Sequence, residues 1–272
     1  RHTRLTDVTG VQTFALPIYW RAFWNHELLD RPVCVITAPA GEAPVAWGPS
    51  YYDKSMGNLA ASLDKWEAHF ETAYYGGEAI PCAGLDFGPD QMSAFLGGNL
   101  QFTSDMSTNW VKPFVTNWED FHFELKDDNY WWKRMLEFHR MAAERFLGKA
   151  LLGTLDMHSN YDCPAAIRGP EQLCIDGMDE PETIDRVMRE VRAVYAPMCD
   201  ALFEAGRNAE QGFAGWAPAY SEGKYATIQC DFICLLSPAD SRRWVIPALE
   251  EEATYHDHVV YHLDGPDALP HL

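Results

Sequence analysis

Residues 131–158, WWKRMLEFHRMAAERFLGKALLGTLDMH, carry a helix, a stop and a strand in one continuous stretch. Trp132, Met135, Leu136, His139, Ala143, Phe146 and Leu147 recur at spacings of three and four, the apolar stripe of an amphipathic helix. Gly148 ends it, because a glycine just past the last turn adopts the left-handed cap without a Cβ clash. The next six residues, 150–155, read as a short buried strand. That strand runs directly into Asp156-Met157-His158.

The same alternation continues on both sides. Downstream, Ile184, Val187, Met188, Val191, Val194, Tyr195 and Met198 mark a long helix, with Pro181 in its first turn and Pro197 expected to kink or end it. Residues 226–230 read as a strand, Ser237-Pro238 as a capped helix start, and residues 258–262 as the last strand. Upstream, residues 32–39 (PVCVITAP) form an apolar run between prolines, the pattern of a buried strand. Residues 59–70 suit a helix, and residues 79–85 a second strand that ends in Asp86-Phe87-Gly88-Pro89. Residues 97–129, rich in Trp, Phe, Asn and Thr, lack a period and predict a long excursion over one end of the domain. Strands alternating with helices indicate a parallel α/β fold. No Gly-x-Gly-x-x-Gly or P-loop string supports a nucleotide-binding doubly wound sheet, so a (β/α)8 TIM barrel is the expected architecture.

The chain has 272 residues, 47% of them hydrophobic and 22% charged, enough for one large core. It holds neither a long apolar run fit to span a membrane nor a basic segment followed by an apolar stretch, the mark of a signal peptide. A formal charge of −19 with no Lys/Arg-rich run argues against nucleic acid and anionic membrane surfaces as partners. The 7 cysteines are scattered, which suits a reducing cytoplasm; Cys230 and Cys234 stand four apart, and without Cys-x-x-Cys a closed structural zinc site is disfavoured. Residues 1–18 show no period, and residues 9–18 (TGVQTFALPI) resemble a translated sequencing adaptor, so a non-native leader is expected there and the domain is taken as residues 19–272. Residues 261–272 run from a strand into a Gly-Pro turn, and the expectation is a truncated barrel whose last strands are missing.

In a barrel of this kind, catalytic groups sit at the carboxyl ends of the strands. Three expected strands end in Asp156-Met157-His158, in Cys230-Asp231 and in His262-Leu263-Asp264-Gly265-Pro266. Side chains two apart on extended backbone share a face, so Asp156 with His158, and His262 with Asp264, can project together. A histidine beside a carboxylate serves as an acid/base pair or as two metal ligands, or simply caps a strand end. Asp156, His158 and Asp231 are the candidates for proton transfer, and His262 with Asp264 for a metal. Arg168, ahead of Gly169-Pro170, either binds a substrate carboxylate or pairs with a local acid. Asp86 is a further strand-end acid. Trp110, Trp118, Trp131 and Trp132 read as core or lid packing, with the lining of a pocket for a flat ligand as the alternative. Tyr261 faces away from His262 on its strand; it reads first as packing and second as a substrate contact.

Several strings together, Tyr75-Gly76-Gly77-Glu78-Ala79-Ile80-Pro81, Gly88-Pro89, Trp131-Trp132, Leu155-Asp156-Met157-His158, Ile167-Arg168-Gly169-Pro170, Cys230-Asp231-Phe232, Ser237-Pro238 and Tyr261-His262-Leu263-Asp264-Gly265-Pro266, resemble the uroporphyrinogen decarboxylase-like superfamily from about Trp20 onward. That superfamily also holds the cobalamin-linked methyltransferases, and the likeness is to one of its poorly characterised branches. The resemblance implies a (β/α)8 barrel with its pocket at the carboxyl end. True decarboxylases carry an arginine-containing string after the first strand, where this chain reads Thr37-Ala38-Pro39-Ala40-Gly41, which argues against literal heme-pathway decarboxylation. The methyltransferases place a zinc-binding His-x-Cys at a late strand end, where this chain has His262-x-Asp264. Three functions follow from the resemblance: zinc-assisted methyl transfer between a corrinoid and a thiol; a metal-free decarboxylase or lyase of a carboxylated tetrapyrrole or another carboxylate, with Arg168 on the substrate; or non-catalytic corrinoid or tetrapyrrole binding. The partner implied is a small molecule or a corrinoid protein.

Overall fold

The computed structural model describes residues 12–271. Residues 1–11 of the expected leader lie outside the described residues. α1 (Gln12–Trp24) begins within the rest of that stretch, where the sequence shows no period. Tertiary packing accounts for this helix where periodicity does not. Trp20 is buried in a small cluster with Phe213, Ala219 and Tyr225. Its Nε1 donates to the Glu78 carbonyl at 3.3 Å, and Trp24 Nε1 donates to the Tyr220 carbonyl at 2.8 Å. The Trp24 ring also stacks on His258, centroids 4.4 Å apart.

β1 (Val35–Pro39) pairs antiparallel with β2 (Ala73–Gly77), and α2 (Tyr51–Ser55) and α3 (Leu59–Thr72) lie between them in sequence. The expected buried strand is therefore wrong in its environment: Ile36 is 47% exposed, because β1 has a partner on one side only. α2 opens with a reciprocal cap in which Ser50 and Asp53 satisfy each other's backbone amides. β3 (Cys82–Ala83) and α4 (Gln91–Phe95) follow. The expected excursion contains a hairpin, β4 (Leu100–Phe102) with β5 (Asn109–Val111).

α5 (Tyr130–Phe146) buries Trp132, Met135, His139, Ala143 and Phe146 of its expected stripe, together with Trp131, Phe138 and Ala142 outside it, whereas Leu136 is half-buried and Leu147 exposed. After β6 (Leu151–Leu152) come α6 (Asp162–Arg168), α7 (Pro170–Asp179) and α8 (Pro181–Gly206), the last packed against α5. α8 continues past Pro197, so of the two expected effects the proline does not end the helix. The proline forfeits one backbone bond, and the burial of Met198, Cys199 and Leu202 beyond it offsets that loss at about 1.5–3 kcal/mol per large side chain.

β7 (Phe213–Ala214) and β8 (Tyr220–Ser221) form an antiparallel pair, followed by β9 (Tyr225–Gln229). α9 (Pro238–Asp240) leads through a π-helical turn at Ser241–Val245 into α10 (Ile246–Tyr255), then β10 (His258–His262). The fold is mixed α/β, with ladders grouped among the described residues into five two-stranded sheets. Three neighbour relations are parallel: β3 with β6, Gly153 with Ala214, and β9 with β10. These put the carboxyl ends of β3, β6, β9 and β10 on the segments that carry the candidate polar residues. No helix among the described residues is long and apolar enough to cross a membrane.

Candidate functional site

Asp86, three residues past β3, anchors one side of the site. Its Oδ1 accepts hydrogen bonds from the Asp156 amide at 2.8 Å and from Gln91 Nε2 at 3.1 Å. Gln91 Nε2 also reaches the Asp156 carbonyl at 2.7 Å, so the segments after β3 and β6 are locked together. Burial raises the Asp86 carboxyl against the pull of Lys54.

Asp156 and His158 do meet, although not through a continuing strand. β6 has already ended, and His158 adopts φ 40°, with Asn160 at φ 45°. Left-handed backbone at non-glycine residues costs about 1–2 kcal/mol each and persists only where surroundings impose it. Here Asn160 Nδ2 donates to the Gln229 carbonyl at 2.8 Å, its Oδ1 accepts the Tyr161 amide at 2.7 Å, and Ser159 Oγ donates to Glu252 Oε1 at 2.5 Å. The turn carries His158 Nε2 to 3.5 Å from Asp156 Oδ2. Burial depresses the imidazole, but the adjacent Asp156 carboxylate, with Asp162 and Asp231, outweighs it and raises His158 to about 9.

Gln229, on the last position of β9, bridges the pair. Its Nε2 lies 2.9 Å from Asp156 Oδ1 and 2.6 Å from His158 Nε2. An amide nitrogen can donate to that imidazole nitrogen only when the nitrogen is unprotonated. When the ring is cationic its Nε2–H can only donate, to Asp156 Oδ2 or to the Gln229 carbonyl oxygen after an amide flip, so the protonation of His158 and the bonding of Gln229 are coupled.

Asp162, at the start of α6, accepts the backbone amides of Asp231 at 3.0 Å and Phe232 at 2.8 Å. It thereby fixes the turn that leaves β9. Burial lifts its carboxyl to about 6 despite His158 and those two amides. Asp231 itself has an Oδ1 that is buried without a hydrogen-bond partner. Ligand atoms of Asp231, His262 and Asp264 all lie within 4.8 Å of one another, and this is the group of potential metal ligands found among the described residues. In the parallel register His262 is opposite Gln229, which puts His262 on the face of the acid–base pair. The Trp216 ring meets His262 edge-on, centroids 5.0 Å apart.

The structure thus brings Asp86, Asp156 and His158 into one network, and Asp231, His262 and Asp264 into a second group beside it. Arg168 is elsewhere. It forms a two-point pair with Asp176, at 2.6 and 3.0 Å, and donates to the Val115 carbonyl at 3.1 Å. Six residues of helix, about 9 Å along its axis, separate it from Asp162. Of its two sequence alternatives, the local pair is what forms. Trp118, Trp131 and Trp132 are buried core, whereas Trp110 is 42% exposed on β5. Tyr261 pairs with Ile228 on the opposite face of its strand from His262, and its hydroxyl is buried without a partner.

Reading the sequence missed Lys54, Gln91, Asn160, Gln229 and Glu252. Gln229 had a signal: it sits two residues before Asp231, and a polar side chain closing an otherwise buried strand needs a partner. Lys54, on a five-residue helix in a connecting segment, had none.

No protein-family model matches the chain, and none of the curated proteins does. Among solved structures, a methyltransferase from Methanosarcina mazei matches with a TM-score of 0.60 over 92% of this chain and 70% of its own, at 14% sequence identity. At that identity the likeness shows the fold.

Proposed function

We propose that this chain is a metal-assisted methyltransferase on a (β/α)8 barrel, moving a methyl group between a corrinoid and a thiol. The observation that supports this reading is the meeting of Asp231, His262 and Asp264 at the carboxyl ends of β9 and β10, in a fold shared with a methyltransferase. One imidazole and two carboxylates suit a borderline divalent ion such as zinc. Bonds of about 2.0–2.2 Å would draw these ligand atoms around one ion. Asp264 is exposed and lies beyond its strand. The unpartnered Oδ1 of Asp231 is accounted for if it faces a cation.

A bound ion supplies Lewis acidity, which lowers the pKa of a thiol so that its sulfur becomes the nucleophile. The chain's own groups do the rest. Asp162 holds the backbone of Asp231, as outer partners of metal ligands commonly do. His158, cationic below about pH 9, offsets negative charge as it builds on sulfur. Asp156, held by Gln229 and His158, is the carboxylate this reading assigns to take up the thiol proton.

Proton transfer at Asp86, Asp156 and His158 without a metal is the second reading, favoured by their shared network. Arg168 contributes nothing to it, being committed to Asp176. Elemental analysis of protein purified without chelator separates the two. Near-stoichiometric zinc that disappears in His262→Ala is the expected result. Folded protein devoid of metal under those conditions would sink the methyl-transfer reading.

A further inference from the structure

Lys54 is 4% exposed, the one buried lysine among the described residues. Lys65, Lys126, Lys149 and Lys224 each form an ion pair, whereas Lys54 forms none. Its ammonium donates to the Gly84 carbonyl at 3.1 Å and lies 5.0 Å from the centre of the Tyr51 ring. An ammonium carries three N–H donors, so two remain without a protein acceptor. Gly84 directly follows β3 and precedes Asp86 by two residues, which puts the unfilled donors at the carboxyl end of that strand.

A buried charge without a counter-ion is costly, and a donor left unfilled adds to that cost. Burial accordingly depresses Lys54 to about 8, with Asp86 and Asp53 pulling the other way. Asp86 does not resolve the imbalance. Its Oδ1 is taken by Gln91 and the Asp156 amide, and no oxygen of it pairs directly with Lys54. Tyr51 is half-buried beside the ammonium, and burial, first, with Asp86 and Asp156 raises its phenol, so the hydroxyl stays a donor.

We propose that Lys54 and Tyr51 form an anion-binding subsite at the end of β3, which takes a carboxylate of a small substrate. Two carboxylate oxygens match the two unfilled N–H groups, and the Tyr51 hydroxyl supplies a third donor. The subsite lies at a different strand end from Asp231, His262 and Asp264, so it stands whether or not those residues hold a metal. It selects substrates that are anionic at one end, in a molecule whose formal net charge is −19.

The test uses the whole chain stripped of metal with a chelator that is then removed by dialysis, so that no metal contributes, with succinate and uncharged succinamide as probes. Thermal melting and saturation-transfer NMR report binding. Wild type is expected to gain stability with succinate only. Lys54→Met, compared with its own ligand-free melting temperature, is expected to bind succinate at least tenfold more weakly. Tyr51→Phe, which keeps the ring and the fold, is expected to weaken succinate several-fold. Equal responses to succinate and succinamide in wild type would overturn the proposal. So would a succinate response that survives in Lys54→Met, which would assign the lysine to Asp86 alone. If Lys54→Met fails to fold, an unchanged succinate affinity in Tyr51→Phe overturns it equally.

Discussion

Glu252 offers a test of whether the buried polar network has the energetics its geometry implies. It lies on α10, 4% exposed, with Oε1 accepting from Ser159 at 2.5 Å and from Asn160 at 3.4 Å, and Oε2 buried without a partner. Burial dominates those two donors and lifts the carboxyl from 4.5 to about 8. A carboxyl raised in this way binds its proton more tightly folded than unfolded. The sign is therefore opposite to that of an ion-paired acid: the penalty is absent below about pH 4.5, grows as pH rises, and is complete above about pH 8. Between about pH 5.5 and about pH 8 that linkage amounts to about 3 kcal/mol lost from wild type. Glu252→Gln has nothing to titrate there. Whatever its amide costs is constant with pH and cancels when one variant is compared with itself at two pH values. Urea denaturation followed by tryptophan fluorescence, on both proteins at both pH values, measures the difference. Wild type should lose about 3 kcal/mol more than Glu252→Gln across that interval. Parallel losses in the two proteins would refute the reasoning, because Glu252 would then be ionised in the fold.

Two further outcomes follow from the same region and its surroundings. Asp156→Asn removes the main carboxylate that holds His158 cationic but leaves the burial, so the imidazole should fall from about 9, as read from histidine proton shifts by NMR. His158 contributes stability that is complete below about 6.5 and lost as pH rises through about 9, and this variant should lack that slope; an imidazole still near 9 would show that Asp156 is not its main partner. Arg168→Ala strands Asp176, which also accepts from Trp118 and Gln172, and should cost about 3 kcal/mol in denaturant unfolding. It should leave zinc content and succinate binding unchanged, and loss of either in folded protein would return Arg168 to the site.

The helices were the most legible part of the chain. α5 and α8 follow from apolar residues at spacings of three and four, because one stripe must face the core wherever the helix ends up. Strands were legible by position and less so by environment: β9 and β10 stand where their apolar runs predict, while β1 reads as buried and is half open. A run of apolar residues records that a segment can be covered, and the number of neighbours that cover it is a property of the sheet. α1 was illegible because its stability rests on Trp20 and Trp24 meeting residues some two hundred positions away.

The same division runs through the site. The sequence by itself determined which carboxylates and histidines close the strands: Asp86, Asp156, His158, Asp231, His262 and Asp264 all stand at strand ends or just beyond them. Only the tertiary structure decided how they group. Asp231 joins His262 and Asp264 because β9 and β10 are parallel neighbours in a fixed register. His158 reaches Asp156 through a left-handed turn that Gln229, Asn160 and Glu252 impose from other segments. Arg168 leaves the site because α7 sets Asp176 beside it. Lys54 enters because α2 folds over the end of β3. Residue type is local information, whereas the partner that satisfies a buried charge is whichever distant segment the fold places within about 3 Å.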